Sequence, residues 1–171
     1  MASEDSFWGN IFKNQSKSST ISLLKNIPIF SQFKYLDLSK FSKILHERIY
    51  AKGEVIFNEG EMGESLFIVK SGKVKIVSSV DRGKQRSVTV LEDGSFFGEV
   101  SLVDNAPRSA AAIAEEETEA LVLFRADLLS LMDRNPRLAA FFLLHLSMII
   151  GQRLRANNDE LNKIKFQHVA T

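Results

Sequence analysis

The sequence contains no cysteine and only three histidines, at positions 46, 145 and 168. The absence of cysteine excludes disulfides, cysteine-bound zinc and thiol nucleophiles, and it fits an intracellular protein. The three histidines lie far apart, without the clustered histidine and glutamate ligands that jelly-roll metalloenzymes use. We therefore expect no metal site.

Two common motifs of enzymes are also missing. The chain has neither a Gly-x-x-x-x-Gly-Lys phosphate loop nor a Gly-x-Ser-x-Gly nucleophile turn, so we expect no enzymatic activity and no cofactor. A formal net charge of +1 provides no concentrated positive charge for nucleic acid. No helix-turn-helix follows the last predicted helix before Thr171, and we expect no DNA-binding domain in this chain.

Long hydrophobic runs are absent as well. No run approaches the ~18 apolar residues of a membrane span, and the N-terminus lacks the basic segment and apolar core of a secretory signal. We expect a cytoplasmic protein without a transmembrane segment. Hydrophobic residues still make up 44% of the chain, which is enough for a substantial core, and 171 residues fit one domain with appendages.

Residues 1–19 are predicted to form a flexible leader, because Ser, Asn, Gln and Lys dominate its second half. Phe7, Trp8, Ile11 and Phe12 interrupt it at helical spacing. Two interpretations remain open for this cluster. It is either an anchor for a partner or membrane surface, or a segment that folds back onto its own domain.

The chain then changes from helical to strand-like patterning. Apolar residues recur every three or four positions over 20–45, and Pro28 divides this region into two helices. Beyond residue 46, short segments rich in Val, Ile and Phe alternate with glycines, which predicts strands. The predicted strands cover 48–51, 55–58, 66–71, 74–80, 87–92, 109–115 and 120–124. This spacing predicts a mainly β fold of the jelly-roll (double-stranded β-helix) type with flanking helices.

The last part of the chain is predicted to be helical. Asp127 is a candidate N-cap for 128–133, and Asn135 followed by Pro136 predicts a long helix to about residue 164. That helix is apolar on nearly every face over 138–150, so it must be buried or paired, and a homodimer through 136–164 would cover it. We divide the chain into a leader (1–19), a β-rich domain (20–135) and a C-terminal helix and tail (136–171).

The segment from 96 to 112 carries the most specific motif. It contains Phe-Gly-Glu at 97–99, a Ser-Leu pair at 101–102 and Pro-Arg-Ser-Ala at 107–110. This pattern resembles the phosphate-binding cassette of the cyclic-nucleotide-binding domain family, which includes kinase regulatory subunits, nucleotide-gated channels and bacterial catabolite-activator-like regulators. The glycine-rich stretches 53–61 and 66–74 resemble strands of the same family, in the same order.

The chemistry of a cyclic nucleotide matches these residue types. Arg108 has the planar fork that donates paired, charge-assisted hydrogen bonds to a phosphate, and a short helix beginning near Gly98 would aim free N–H groups at it. The resemblance implies that Glu99 accepts a hydrogen bond from the ribose 2′-hydroxyl. We also expect Glu99 to balance Arg108 in the empty site. The candidate ligand-binding residues are Gly98, Glu99, Val100, Ser101, Arg108, Ser109 and Ala110.

The base is expected to face apolar strand residues. Val88 and Val90 are candidate wall residues, and Arg153 and Arg155 are candidate lid residues on the last helix. In the family, threonine after the arginine tends to accompany cGMP binding and alanine cAMP binding. Here the residue after the arginine is Ser109, and serine is a residue type intermediate between threonine and alanine. Bacterial cAMP regulators also use serine at this position, so we favour cAMP over cGMP.

The resemblance implies a sensor that reports ligand occupancy to an unidentified protein effector through movement of its C-terminal helices. Two alternatives stay open. The first is a domain of the same fold that has lost its ligand and serves as a protein-interaction module. The second is a sensory fragment of a longer channel, kinase regulator or transcription factor. The cassette itself has a plainer interpretation, as core residues with Glu99 and Arg108 in a surface ion pair.

Overall fold

The structure is a computed structural model that describes residues 20–80 and 84–169. For residues 79, 80, 84–88 and 164–169 it describes the backbone only. The predicted leader, with its aromatic cluster, lies outside the described residues.

Two short helices precede the sheets. Helix α1 covers residues 20–26, a 3-10 turn covers Pro28–Phe30, and α2 covers Tyr35–Phe41. Pro28 is the first residue of the 3-10 turn, where its missing N–H costs no hydrogen bond. The predicted division of this region at Pro28 is confirmed.

Eight strands form two four-stranded sheets in the described part of the chain. They are β1 (His46–Tyr50), β2 (Val55–Phe57), β3 (Ser65–Ser71), β4 (Val74–Val80), β5 (Lys84–Leu91), β6 (Phe96–Phe97), β7 (Ala111–Ala114) and β8 (Thr118–Phe124). The sheet orders are β1-β8-β3-β6 and β2-β7-β4-β5, with antiparallel pairs throughout. The predicted mainly β jelly roll is confirmed. Strand β6 was not predicted, because two residues are too short to show a period.

Strand β3 separates two hydrophobic cores. Successive side chains point to opposite faces of a strand, so Leu66 and Ile68 pack against the helices while Phe67 and Val69 pack inside the barrel. With both faces covered, the strand sequence is a continuous apolar run. On the helix side, the rings of Phe30, Phe41 and Phe142 lie 5.0–5.5 Å apart. Aromatic pairs of this kind stabilise by about 0.5–1.5 kcal/mol beyond burial.

Helix α3 (Glu99–Asp104) lies between β6 and β7, and two helices follow the sheets, α4 (Arg125–Arg134) and α5 (Pro136–Val169). The prediction that Asp127 caps α4 is wrong. Phe124 holds the N-cap position without a side-chain bond, and Asp127 Oδ2 instead lies 2.9 Å from His46 Nε2. The helix also begins earlier than predicted, at Arg125.

Helix α5 is anchored to the core at one end and exposed along one face. Phe142 and Leu146 are fully buried, whereas Leu144 and Leu154 are more than half exposed. By length and composition, Pro136–Lys163 is the one described helix that could cross a membrane, with a mean hydropathy of 1.2, so α5 is more apolar than the sequence analysis indicated. A single such helix is weak evidence for a span, because core helices of soluble proteins meet the same criterion.

Candidate functional site

A left-handed glycine introduces the short helix of the site. Strand β6 ends at Phe97, Gly98 adopts a φ of +76°, and α3 follows. A Cβ at position 98 would lie 2.6 Å from Arg108 Nη1, so the turn and the close approach of the arginine both require glycine. The expected helix beginning near Gly98 is confirmed.

Arg108 is buried, with 5% of its surface exposed, and its guanidinium is held by three hydrogen bonds. Nη1 donates to the Gly98 carbonyl at 2.9 Å, and Nη2 donates to the Ser65 carbonyl at 2.9 Å and to Ser65 Oγ at 3.0 Å. The Cζ atom lies 4.2 Å from the ring centre of Phe57. Burial lowers the pKa of Arg108, while the charges of Glu99 and Glu61 act to raise it. Because arginine titrates far above neutral pH, the group remains a cation.

The loop before β3 fixes the backbone of Arg108. Gly60 N–H donates to the Arg108 carbonyl, and Arg108 N–H donates to the Glu61 carbonyl, each at 2.8 Å. The loop also packs closely against the site, since a Cβ at Gly63 would lie 2.2 Å from Ser101 Cβ and 2.9 Å from Arg108 Nε. Gly60 and Glu61 belong to the stretch 53–61 that resembles the family's strands, whereas Gly63 lies outside it, and no contact of either with Arg108 was predicted.

Glu99 pairs with an arginine other than the one we expected. Its side chain is buried, and Oε1 accepts a hydrogen bond of 2.6 Å from Arg153 Nη1 on α5. Arg153 also donates to the Phe96 carbonyl at 3.2 Å and stacks over the Phe96 ring at 4.4 Å. The expected direct balance between Glu99 and Arg108 is therefore replaced by a Glu99–Arg153 pair. The negative charge of Glu99 still acts on Arg108 electrostatically and favours its charged form.

These groups line one cavity of about 380 Å³. All seven candidate ligand-binding residues line it, as does Arg153. The full lining is Phe57, Ile76, Thr89, Leu91, Phe96, Phe97, Gly98, Glu99, Val100, Ser101, Arg108, Ser109, Ala110 and Arg153. The structure thus brings the two halves of the cassette and the last helix together around one space.

Three of the base-wall and lid candidates are not placed in this lining. Val90 is 42% exposed and outside it, because its neighbours Thr89 and Leu91 face the cavity and side chains alternate along β5. Arg155 is exposed and outside the lining, two residues beyond Arg153 on the helix. The side chain of Val88 lies outside the described part.

The apolar wall was missed by the sequence analysis. Phe57, Ile76 and Leu91 come from three different strands, β2, β4 and β5, and no local motif links them. Alternation along each strand gives two possible faces. The pairing of Ile76 with Thr89 across β4 and β5 puts both residues on one face, and that face lines the cavity.

The cavity combines a charged end with an apolar wall. Arg108 offers a cation, Glu99 offers a hydrogen-bond acceptor, and Ser101 and Ser109 add small polar groups. The opposite wall is aromatic and aliphatic. The volume lies in the usual range of roughly 300–1,000 Å³ for small-molecule sites. The arrangement suits a small ligand with an anionic group, a hydroxyl and a flat apolar ring.

Comparison with known proteins identifies the family of this chain. Residues 47–135, just over half of the chain, match the model of the cyclic nucleotide-binding domain family. The chain is 35% identical over 144 residues to the cyclic AMP receptor protein of Thermus thermophilus, covering 84% of this chain and 65% of that protein. It is 37% identical over 105 residues to human cGMP-dependent protein kinase 2, covering 61% of this chain and 13% of the kinase.

A solved structure shows the same fold. The crystal structure of Thermus thermophilus catabolite activator protein superposes with a TM-score of 0.74 at 35% identity, covering 81% of this chain and 63% of that one. The fold, the cassette and the family match define the class: this chain belongs to the cyclic nucleotide-binding domain family. It spans slightly less than two thirds of the bacterial receptor's length.

Proposed function

We propose that this chain binds a cyclic nucleotide, with Arg108 on the phosphate and Glu99 on the ribose 2′-hydroxyl. The observation that carries the proposal is the buried Arg108 guanidinium at the wall of the cavity. Its three hydrogen bonds come from Nη1 and Nη2 and do not use Nε–H, which is left to donate to an anion. A buried cation held this way is suited to a charged ligand and would be costly as mere packing.

We propose cAMP as the preferred ligand. Ser109 follows the arginine, where family members that bind cGMP tend to carry threonine. The bacterial relative is a cyclic AMP receptor by name, whereas the human relative is named for cGMP, so relatives with both ligands match this chain. The preference therefore depends on Ser109 and on the apolar wall, and it requires a direct comparison of the two nucleotides.

We propose a regulatory and non-enzymatic role in the cytoplasm. Nucleotide binding would shift the population between two packings of α4 and α5 on the barrel, by no more than the difference in affinity for the two states. Arg153 supports this link, because it joins α5 directly to Glu99 at the ligand site. An effector protein would read the position of the helices.

We also propose that α5 forms a two-fold homodimer. One stripe of the helix has residues spaced alternately by four and three positions, all exposed except the partly exposed Gly151: Ala140, Leu144, Ser147, Gly151, Leu154, Asn158 and Leu161. This is the spacing of a coiled-coil seam, and the small residues at 147 and 151 would allow close approach of a second helix. Leu144, Leu154 and Leu161 are each more than half exposed, and a partner helix would cover these apolar side chains.

Calorimetric titration with cAMP and cGMP tests the ligand proposal. We expect micromolar or tighter binding of cAMP, weaker binding of cGMP, and loss of both in Arg108→Ala. Arg155→Ala is the matched control, because that arginine is exposed and outside the cavity lining, and it should bind like the native chain. No heat with either nucleotide, on folded and ligand-free protein, would favour the interaction module that has lost its ligand.

A further inference from the structure

We propose that Ser65 is a positioning residue for Arg108, and that its buried hydroxyl sets the direction in which the guanidinium meets an anion. The inference rests on the proposed function and extends it to a residue outside the cassette. Ser65 is the first residue of β3, is 7% exposed, and lies 43 positions before Arg108.

Three acceptors surround the Arg108 guanidinium. Two of them are backbone carbonyls, of Gly98 and Ser65, and these would persist with other residues at those positions. Ser65 Oγ is the side-chain acceptor that the described residues provide at hydrogen-bond distance, 3.0 Å from Nη2. The hydroxyl is therefore the part of this arrangement that depends on the identity of a side chain.

The geometry gives the hydroxyl a directional role. Both acceptors on Ser65 engage Nη2, and the Gly98 carbonyl engages Nη1, while the Phe57 ring lies beneath Cζ at 4.2 Å. The Phe57 ring thereby covers one face of the guanidinium, and the hydrogen bonds fix its Nη1 and Nη2 end. Nε–H takes part in none of these three bonds and is left for a ligand. Without the hydroxyl, Nη2 loses one of its two acceptors, and the guanidinium is held by the two backbone carbonyls and the Phe57 ring alone.

The first measurement uses the nucleotide-free protein. In ¹⁵N guanidinium spectra, we expect Arg108 Nη rotation to be slow in the native chain, faster in Ser65→Ala, and slow again in Ser65→Thr, which restores the hydroxyl. Ser65→Cys, with a weak acceptor of similar size, should behave like Ser65→Ala and replaces it if that variant does not fold. If Nη rotation in Ser65→Ala and in Ser65→Cys is as slow as in the native chain, the proposal is overturned.

The second measurement reads ligand orientation. We expect Ser65→Ala to lose about tenfold in cAMP affinity, as for a hydrogen bond to a charged group. The affinity ratio between the two diastereomers of adenosine 3′,5′-cyclic phosphorothioate should move toward one, because sulfur replaces a different exocyclic oxygen in each. Thr118→Val is the matched control, since it removes a buried hydroxyl outside the cavity lining and should lower stability without changing the ratio.

The outcomes separate the two proposals. Equal weakening of both diastereomers with unchanged Nη rotation would make Ser65 merely structural and overturn the positioning role. A native chain that binds no cyclic nucleotide, but whose Arg108 mobility still depends on Ser65, would refute the proposed function while leaving the positioning of Arg108 supported.

Discussion

Arg153 on α5 donates a hydrogen bond of 2.6 Å to Oε1 of Glu99, the first residue of α3. The two residues are 54 positions apart in the sequence. Glu99 is nearly enclosed, with 9% of its side chain exposed, while Arg153 is 44% exposed. If Glu99 binds a ligand hydroxyl as proposed, that hydroxyl and Arg153 would share the same carboxylate, which would couple ligand binding to the position of the last helix.

The Arg153–Glu99 contact should hold the middle of α5 against the barrel. We expect Arg153→Ala to speed amide hydrogen exchange of α5 around residue 153 by about fivefold, corresponding to roughly 1 kcal/mol for a partly exposed ion pair. Arg155→Ala, on the exposed side of the same helix, should leave exchange unchanged. If the two variants behave alike, the contact does not hold the helix.

The assignment of Glu99 to the ribose is tested by a double-mutant cycle. In the native chain, replacing cAMP with 2′-deoxy-cAMP should weaken binding, and in Glu99→Gln the same replacement should matter much less. A carboxylate accepting a hydroxyl hydrogen bond predicts a coupling of about 1.5–3 kcal/mol. Titration calorimetry measures all four affinities, and a coupling of zero would remove Glu99 from the ribose.

The stripe on α5, whose members are spaced alternately by four and three residues, predicts a dimer that a single charge can break. Leu154→Glu places a carboxylate at the centre of the proposed seam, and it should convert a dimer to a monomer in sedimentation experiments. Ala156→Glu places the same charge on the opposite side of the helix and should leave the dimer intact. A native chain that stays monomeric at its highest soluble concentration would contradict the proposal.

Glu61 should make the free energy of unfolding decrease as the pH falls into the acid range. Hydrogen bonds from the side chain and backbone of Asn58 hold the pKa of Glu61 below its ordinary value of 4.5. The stabilisation is therefore complete above 4.5 and is lost as the pH falls through the lower folded-state pKa. In denaturant titrations, the stability difference between the native chain and Glu61→Gln should shrink as the pH drops below that value. Asn58→Ala should reduce the pH-dependent part, and a difference that is constant with pH would contradict the assignment.

Local patterns predicted much of the fold and the cassette. Glycine turns between short Val- and Ile-rich segments predicted seven of the eight strands, and Pro28 and Pro136 marked helix boundaries, because these signals act within a few residues. The cassette was equally local, since the backbone turn at Gly98 and the residues on either side of Arg108 lie within one continuous segment. The predicted N-cap at Asp127 was wrong, because the helix begins at Arg125 and places Asp127 in its first turn, where its carboxylate contacts His46, a residue distant in the sequence.

The amino-acid sequence by itself determined that a glycine, an acid and an arginine stand at 98, 99 and 108 in a β-rich chain without cysteine. Only the tertiary structure decided what each of them contacts. The partners of Arg108 come from Ser65 and Phe57, and the partner of Glu99 comes from α5, because sheet pairing and helix packing join segments whose separation leaves no local signal. The tertiary structure also decided which side chains of β4 and β5 point inward. A shift of one residue in the pairing of these strands would turn the inward-facing side chains to the opposite face.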